Sequence, residues 1–287
     1  MKINSPLSSI NEVPKLIESG ADSFYAGINF SRIYNKKILS SRWHCSNAEF
    51  QDLDEILDAA RMIRKESKEI FLTVNEHNYT QEEMKDIVRF ILRYSKEFTG
   101  FIVSNIALIL ELENKVNLVA STGLRISNSE AVKFYKDLGI NKIIFPRSTK
   151  LNEAKSIISK EPNLDYEMFI LNYDCHYIDG LCGFSHFLFD EGFEKGHACS
   201  NISTKNEFKK TIINSCGVCS IPIMKNIGIK YLKIVGRINT IEKKAKDIFF
   251  LKELIRLTDL NNYENLAKEL YEKTYGCKCS ENCFYRW

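Results

Sequence analysis

Short apolar runs alternate with amphipathic stretches along most of the chain. The runs fall at 2–6, 22–26, 70–74, 100–103, 117–120, 142–145, 166–171 and 231–235. Most are continuously apolar rather than alternating, the pattern of strands buried on both faces. Between them the apolar spacing lengthens to that of a helix. Phe50, Leu53, Ile56, Leu57, Ala60 and Ile63 share one helical face, and so do Ile87, Phe90, Ile91 and Tyr94. Further helices are expected near 105–114, 129–138, 151–160 and 221–227, with a long one from about Thr240. Ser9 to Glu12, Ser46 to Glu49 and Thr80 to Glu83 each read as a capping box, in which two side chains satisfy open amides at a helix start. Gly20 reads as the end of the first helix.

Eight strand–helix units in order predict an α/β fold, a parallel (β/α)8 TIM-type barrel. A doubly wound open sheet is the rival, but its dinucleotide-binding form needs a Gly-x-Gly-x-x-Gly turn that this sequence lacks. The barrel is expected over 1–260, with a cysteine-rich insertion at 172–220 after the seventh strand. A C-terminal helix and a short cysteine-rich tail follow at 261–287.

The chain has 287 residues, 44% of them hydrophobic, enough for a sizeable core. A net charge of +3 makes no case for a dedicated nucleic-acid binder. The longest apolar stretch, 101–112, is too short to span a bilayer and contains Asn105 and Glu111. With no apolar leader at the start, a cytoplasmic protein without membrane association is expected. Nine cysteines in a reducing compartment point to metal or redox chemistry rather than to disulfides.

Barrel enzymes build their sites at the C-terminal ends of the strands. Tyr25, Asn75, Ser104, Ser121, Thr122, Arg147, Asn172 and Arg237 are expected there. The plain alternative is that any strand turns polar where it meets solvent. The cysteines are more specific. Cys175, Cys182, Cys199, Cys216 and Cys219 all follow the seventh strand, spaced Cys-x6-Cys-x16-Cys and then Cys-x2-Cys. Thiolates are soft ligands that suit an iron–sulfur cluster or Zn2+ equally, and His176, His186 and His197 add possible zinc ligands. Cys277, Cys279 and Cys283 look like a second metal-binding element, or complete a site with Cys45 or with Cys216 and Cys219. A loose tail with reactive thiols is the alternative, and the aromatic ending Phe284, Tyr285 and Trp287 argues against it. His44 and Cys45 lie in a loop expected on the same face. No His-Glu-x-x-His, Gly-x-Ser-x-Gly or phosphate-binding loop is present.

One block carries a resemblance. Glu167-Met-Phe169, followed by Cys175-x4-Gly180-x-Cys182-x2-Ser185, resembles the signature of the collagenase-like peptidase family U32. Asn172 stands where that signature has Gly, Tyr173 and Asp174 replace its small and aliphatic residues, and Phe184 replaces its second aliphatic position. Residues 20–27, Leu72 to Asn75, Ser121-Thr122 with Asn128, and 228–237 resemble further family blocks, with Val235 in place of Glu. The resemblance implies a barrel. Despite the peptidase name, it also implies a 4Fe–4S cluster on four cysteines and oxygen-independent hydroxylation of tRNA, ribosomal RNA or a ubiquinone precursor, with prephenate as oxygen donor in some members. Cys175, Cys182 and Cys199 match the first three ligand positions. Cys216 or Cys219 is the expected fourth, with Cys45 in reserve.

On that basis the expected function is a 4Fe–4S-dependent enzyme of the hydroxylase type. Arg147, Arg237 and Lys233 would hold a carboxylate-bearing donor, since guanidinium geometry matches carboxylate. Tyr25, Asn75 and His176 would orient the substrate. A metal-dependent peptidase and a non-catalytic cluster-bearing subunit paired with a protein of the same family are the alternatives. The chain stops soon after the barrel and its net charge is modest, so a small-molecule or peptide substrate is favoured over RNA.

Overall fold

The structure is a computed structural model that describes residues 1–35, 48–175, 179–181, 184–185, 198–201, 209–210 and 212–285, with backbone alone at 184–185, 198–201, 209–210 and 212–213. Strands β1 (Lys2–Leu7), β2 (Ser23–Ala26), β3 (Glu69–Val74), β4 (Gly100–Val103), β5 (Leu118–Ala120), β6 (Ile140–Ile144) and β7 (Asp165–Cys175) follow in order. The insertion contributes β8 (Phe184–Ser185), β9 (Ala198–Asn201), β10 (Lys209–Lys210) and β11 (Ile212–Cys216), and β12 (Tyr231–Ile234) comes last. Each of β1 to β6 pairs in parallel with the next. β7 then pairs with β12, and β12 returns to β1, with Ile3 opposite Leu232. The sheet is therefore a closed eight-stranded parallel barrel, as expected. β8, β9 and β10 form a separate small sheet.

Helices α1 (Val13–Glu18), α2 (Phe30–Tyr34), α3 (Leu53–Lys65), α4 (Gln81–Tyr94), α5 (Ile106–Leu112), α6 (Ser129–Asp137), α7 (Leu151–Lys160), α8 (Ile221–Ile227), α9 (Ile241–Arg256) and α10 (Tyr263–Tyr275) lie between and after the strands. Their apolar stripes close on the outward faces of the strands. Ile56, Leu57, Ala60 and Ile63 of α3 are buried, as their spacing required, and each contributes roughly 1–3 kcal/mol by leaving water. No described helix is long and apolar enough to cross a membrane.

Two of the three capping boxes are something else. Thr80 and Glu83 do exchange bonds, from the Thr80 amide to Glu83 at 2.7 Å and from the Glu83 amide to Thr80 at 3.3 Å. Glu12, however, is turned inward, where the fully buried Lys244 ammonium donates to both its oxygens at 2.8 Å. At the third, α3 starts at Leu53 with Asp52 as its cap, and Phe50 bridges to Ile28 instead of joining the helix. In both cases a cation remote in sequence faces the Glu, Lys244 for Glu12 and Arg237 for Glu49.

β7 is longer than its apolar run, because β11 pairs antiparallel with its extension and sets Ile212 against Cys175 and Cys216 against Leu171. At the junction Asn172 has a left-handed backbone, φ 79°. This is the position where the family signature has Gly, and Asn is the side chain that best tolerates that conformation. Its amide donates to Val235 O and to the buried Asp247 carboxylate, both at 2.9 Å. Asn172→Leu is expected to cost about 2–4 kcal/mol, from backbone strain and the orphaned buried acceptors. Asn172→Gly, which keeps the backbone, should cost less. Urea unfolding of the two variants checks the order.

The C-terminal tail is packed, as its aromatic ending suggested. Phe284 is buried and joins Tyr25, Phe71, Ile102, Val119, Ile144 and Phe169, which come from six consecutive barrel strands. Tyr285 donates to Phe169 O at 2.6 Å.

Candidate active site at the barrel mouth

A cavity of about 170 Å³ opens where the strands end. Tyr25 of β2, Thr73 of β3 and Asn75 just beyond it, Ser121 and Thr122 after β5, Arg147 after β6, Lys233 of β12 and Arg237 beyond it all line it. Five of the six candidate catalytic residues, Tyr25, Asn75, Arg147, Lys233 and Arg237, thus share one chamber. The sixth, His176, lies outside the described residues, as do His44, Cys45, Cys182, His186 and His197. Of the other strand-end candidates, Ser104 donates to Asn75 O at 2.6 Å, and Asn172 faces Asp247 instead.

Beneath the cavity lies a buried charge cluster. Glu167 receives Lys142 at 2.5 Å, Lys233 at 2.7 Å and the Asn4 amide at 2.9 Å. Burial alone would raise its pKa, but the two ammonium groups outweigh it and hold the carboxyl at about 2. For Lys233 burial dominates and pulls its pKa down to about 8, against the opposing pull of Glu167. Lys142 is lowered for the same reason. Aromatic faces help to carry the charges, with Lys233 3.7 Å from the Tyr25 ring centre and Lys142 3.4 Å from that of Tyr231. The Tyr25 hydroxyl donates to Ile234 O at 2.9 Å, and burial keeps it protonated. It is therefore a platform for Lys233 rather than an acid.

Two arginines face the chamber from separate supports. Arg147 stacks on Phe169 at 4.1 Å and donates through Nη1 and its backbone amide to Asp179, at 2.7 and 2.9 Å. The loop carrying Asp179 sits so close to Gly123 that a Cβ on Gly180 would lie 2.5 Å from Gly123 O. Arg237 is mostly buried, with Nη1 3.8 Å from Glu49. Gly27 makes room for it, because a Cβ there would come within 3.0 Å of Glu49 Oε1 and Thr73 Oγ1 and would strike Nη1. Lys142, Lys233, Arg147 and Arg237 against Glu167, Asp179 and Glu49 leave the chamber net positive. Asn75 adds a buried Oδ1 without a hydrogen-bond partner, while its Nδ2 donates to Ser121 Oγ at 3.1 Å. The arrangement suits a small anionic ligand that also offers a donor to Asn75.

Sequence reasoning missed Asp179 and Glu49 as arginine partners. Glu49 was hidden behind a helix-cap pattern, and Asp179 gave no signal within a long insertion. Lys142 was missed because a lone Lys within an apolar strand has no local partner.

The cysteines divide. Cys175 ends β7, and Cys199 lies in β9 opposite Lys209. Cys216 sits four residues back along the β7 pairing from Cys175, about 13 Å at the usual strand rise. Cys219 follows in the 3-10 turn Val218–Ser220. Among the described residues, no three His, Cys, Asp or Glu side chains are already gathered as a metal site.

Comparison with known proteins gives three results. A family model described as peptidase family U32 matches residues 8–285. The chain is 23% identical over 300 residues to tRNA hydroxylation protein P1 of Bacillus subtilis (strain 168), covering 95% of this chain and 67% of that protein. It is 23% identical over 188 residues to tRNA hydroxylation protein P of Helicobacter pylori (strain ATCC 700392 / 26695), covering 63% of this chain and 42% of that protein. Among solved structures, a putative dihydrodipicolinate synthetase from Pseudomonas aeruginosa superposes with a TM-score of 0.54 at 7% identity, covering 95% of this chain and 80% of its own. That likeness concerns the barrel alone.

Proposed function

This chain belongs to peptidase family U32, and from that premise we propose that it is an iron–sulfur-dependent enzyme of the oxygen-independent hydroxylase type, acting on tRNA. The observation that carries the proposal is the convergence of Arg147, Arg237 and Lys233 on one chamber, lined in part by the strand whose extension ends in Cys175. The relatives named as tRNA hydroxylation proteins support RNA over the small-molecule and peptide substrates that the modest net charge had favoured. The chain spans 42% to 67% of those relatives' length, so the substrate is carried by this proposal alone.

In this reading Arg147 and Arg237 bind the carboxylates of the oxygen donor, each aimed by its own acidic partner. Lys233 adds a charge that is present at neutral pH and fades above about pH 8. Asn75 Oδ1 accepts from a donor hydroxyl or a base N–H. The buried Tyr25 ring and the Phe169 ring keep water from the cation faces. The chamber, about 170 Å³, is below the ~300–1,000 Å³ of pockets for drug-sized ligands, and suits a single base or a small dicarboxylate.

Cys175, Cys182 and Cys199 would hold the cluster. Their soft thiolate donors fit it, and Cys175 ends the extension of β7, the strand that brings Phe169 to the chamber. A cluster there supplies one-electron transfer when bound. The protein's own residues bind the donor, orient it and exclude water.

Anaerobic purification is expected to give a brown protein with about four irons per cluster. Cys175→Ala should lose that iron and its visible absorption. Mass spectrometry of nucleosides from total tRNA should show a hydroxylated base disappear when the gene is deleted and return with wild type but not with Cys175→Ala. A colourless protein without iron, or an unchanged tRNA profile, would reject the proposal.

A further inference from the structure

A lysine interrupts the last apolar strand of the barrel. β12 reads Tyr-Leu-Lys-Ile, and Lys233 is almost entirely buried in the chamber wall. The pairing of β12 with β7 slips at this residue. Lys233 stands opposite Phe169 and Ile234 opposite Leu171, so Ile170 is an extra residue, and its carbonyl accepts the Gly217 amide at 2.8 Å. Bulges are rare between parallel strands, and beside active sites they re-aim a side chain.

The charge count singles Lys233 out further. One carboxylate, Glu167, faces two ammonium groups, Lys142 and Lys233. A proton lost from Lys233 leaves Lys142 and Glu167 as a neutral pair, so Lys233 can become a free amine without stranding a buried charge. Lys142 does not line the chamber. Among the described lining residues Lys233 is the one amine, and there is no cysteine or histidine. The hydroxyls of Tyr25 and Thr73 are committed to Ile234 O and Ala26 O, at 2.9 and 3.0 Å. Burial disfavours the ammonium form and brings the Lys233 pKa down to about 8. A desolvated amine of this kind is the usual form of a lysine that attacks carbonyl carbon.

We propose that Lys233 forms a Schiff base with the ketone of a small 2-oxo acid whose carboxylate is held by Arg147 and Arg237. The amine nitrogen attacks the ketone carbon. The carbon–oxygen double bond gives way to a carbon–nitrogen double bond, and the oxygen leaves as water with two protons that began on the ammonium nitrogen. No oxidant or reductant is needed. The product is an iminium of the same charge as the ammonium, so Glu167 at 2.7 Å and the Tyr25 ring at 3.7 Å stabilise it as they do the free side chain. Capture also fixes the acid in one orientation beside the two guanidinium groups. The inference rests on the proposed function only in taking this chamber as the site of the oxygen donor, and the covalent step needs no iron.

Borohydride trapping tests it. The full chain is incubated with pyruvate near pH 7.5, sodium borohydride is added to reduce any imine to a stable secondary amine, and peptide mass spectrometry finds the modified lysine. One reduced pyruvyl group per chain is expected, on Lys233. Its labelling should exceed that of any other lysine by roughly tenfold or more, because an ordinary lysine is almost wholly ammonium at that pH. Acetone, a ketone without a carboxylate, should give no adduct under the same conditions. Arg147→Gln, with circular dichroism matching wild type, should lower the yield roughly tenfold or more, the scale of a lost hydrogen bond to a charged group. Lys233→Met should give none at that position. No adduct in wild type, equal labelling of other lysines, or trapping by acetone as strong as by pyruvate would each overturn the proposal. The mapping is done on wild type, so it stands whether or not Lys233→Met folds. A Lys233 adduct in a protein whose deletion leaves the tRNA profile unchanged would defeat the hydroxylase reading and leave the Schiff base standing. A lost tRNA modification without an adduct would do the reverse.

Discussion

Glu167→Gln is expected to destabilise the protein by about 3–5 kcal/mol, the usual cost of removing one partner from a buried ionic cluster. The glutamine keeps the shape but leaves Lys142 and Lys233 buried, both charged and facing each other. Stability should therefore depend on pH in a predictable sense. In wild type the Glu167 carboxyl titrates at about 2, below its ordinary value. Its contribution is fully present above about pH 4.5 and is lost as the pH falls towards 2. The variant loses this acid-side slope. Lys233 is depressed to about 8, so wild type gains stability as the pH rises from there towards 10.5, where the unfolded chain still binds the proton. Without Glu167 the two lysines are depressed further. The deficit of the variant should then shrink between pH 7 and pH 10. Urea titrations at several pH values measure this, and a deficit independent of pH would mean that packing, not charge, is the cause. Replacing all three groups, as Lys142→Met, Glu167→Leu and Lys233→Met, should restore most of the stability while abolishing activity.

Loss of Arg237 should have the largest effect on catalysis. Arg237→Ala is expected to lower kcat by roughly 100-fold or more, the scale for removing one preorganised charged donor from a water-poor site. Arg237→Lys should recover little, because a point charge does not reproduce the planar fork. The sharper test is Gly27→Ala. It removes no charge and adds one methyl group, yet that methyl would occupy the place of the Arg237 guanidinium and crowd Glu49 and Thr73. Activity should fall with Gly27→Ala as it does with Arg237→Ala, at a stability cost of only about 1–3 kcal/mol. On the proposed function, quantifying the hydroxylated nucleoside in tRNA, with circular dichroism to confirm folding, reads both effects. Full activity in Gly27→Ala would show that the position of Arg237 does not matter to the reaction.

The barrel was legible because strands buried on both faces must be apolar throughout, and little else produces such runs at that spacing. The strand-end polar residues were legible once the barrel was accepted, since topology alone puts them at one mouth. Where the reading failed, the cause was a partner far away in sequence. Glu12 and Glu49 sit in good capping patterns, yet Lys244 and Arg237 hold them, and both are remote along the chain. A local motif cannot register a cation that arrives about 190–230 residues later, and a charge-assisted bond outweighs an exposed cap. The extension of β7 was hidden for the same reason, because it exists only through β11. The link between Cys216 and the tail was one of several pairings the sequence allowed. Backbone pairing at Cys283 selected it.

Closure of the barrel by β12 against β1 has a consequence for biogenesis. On the ribosome, the first strand emerges early but cannot be covered on its outer side until Ile234 has left the exit tunnel. From the end of β7 that wait is roughly 60 residues, about 3–12 s at ordinary elongation rates. Throughout it the nascent sheet presents two raw edges to its surroundings, and unpaired edges invite aggregation. Cys182, Cys199, Cys216 and Cys219 are all synthesised within this interval. On the proposed function, a cluster on Cys175, Cys182 and Cys199 would be delivered after closure, and a cell starved of iron is then expected to accumulate a chain that is already folded rather than one that is degraded.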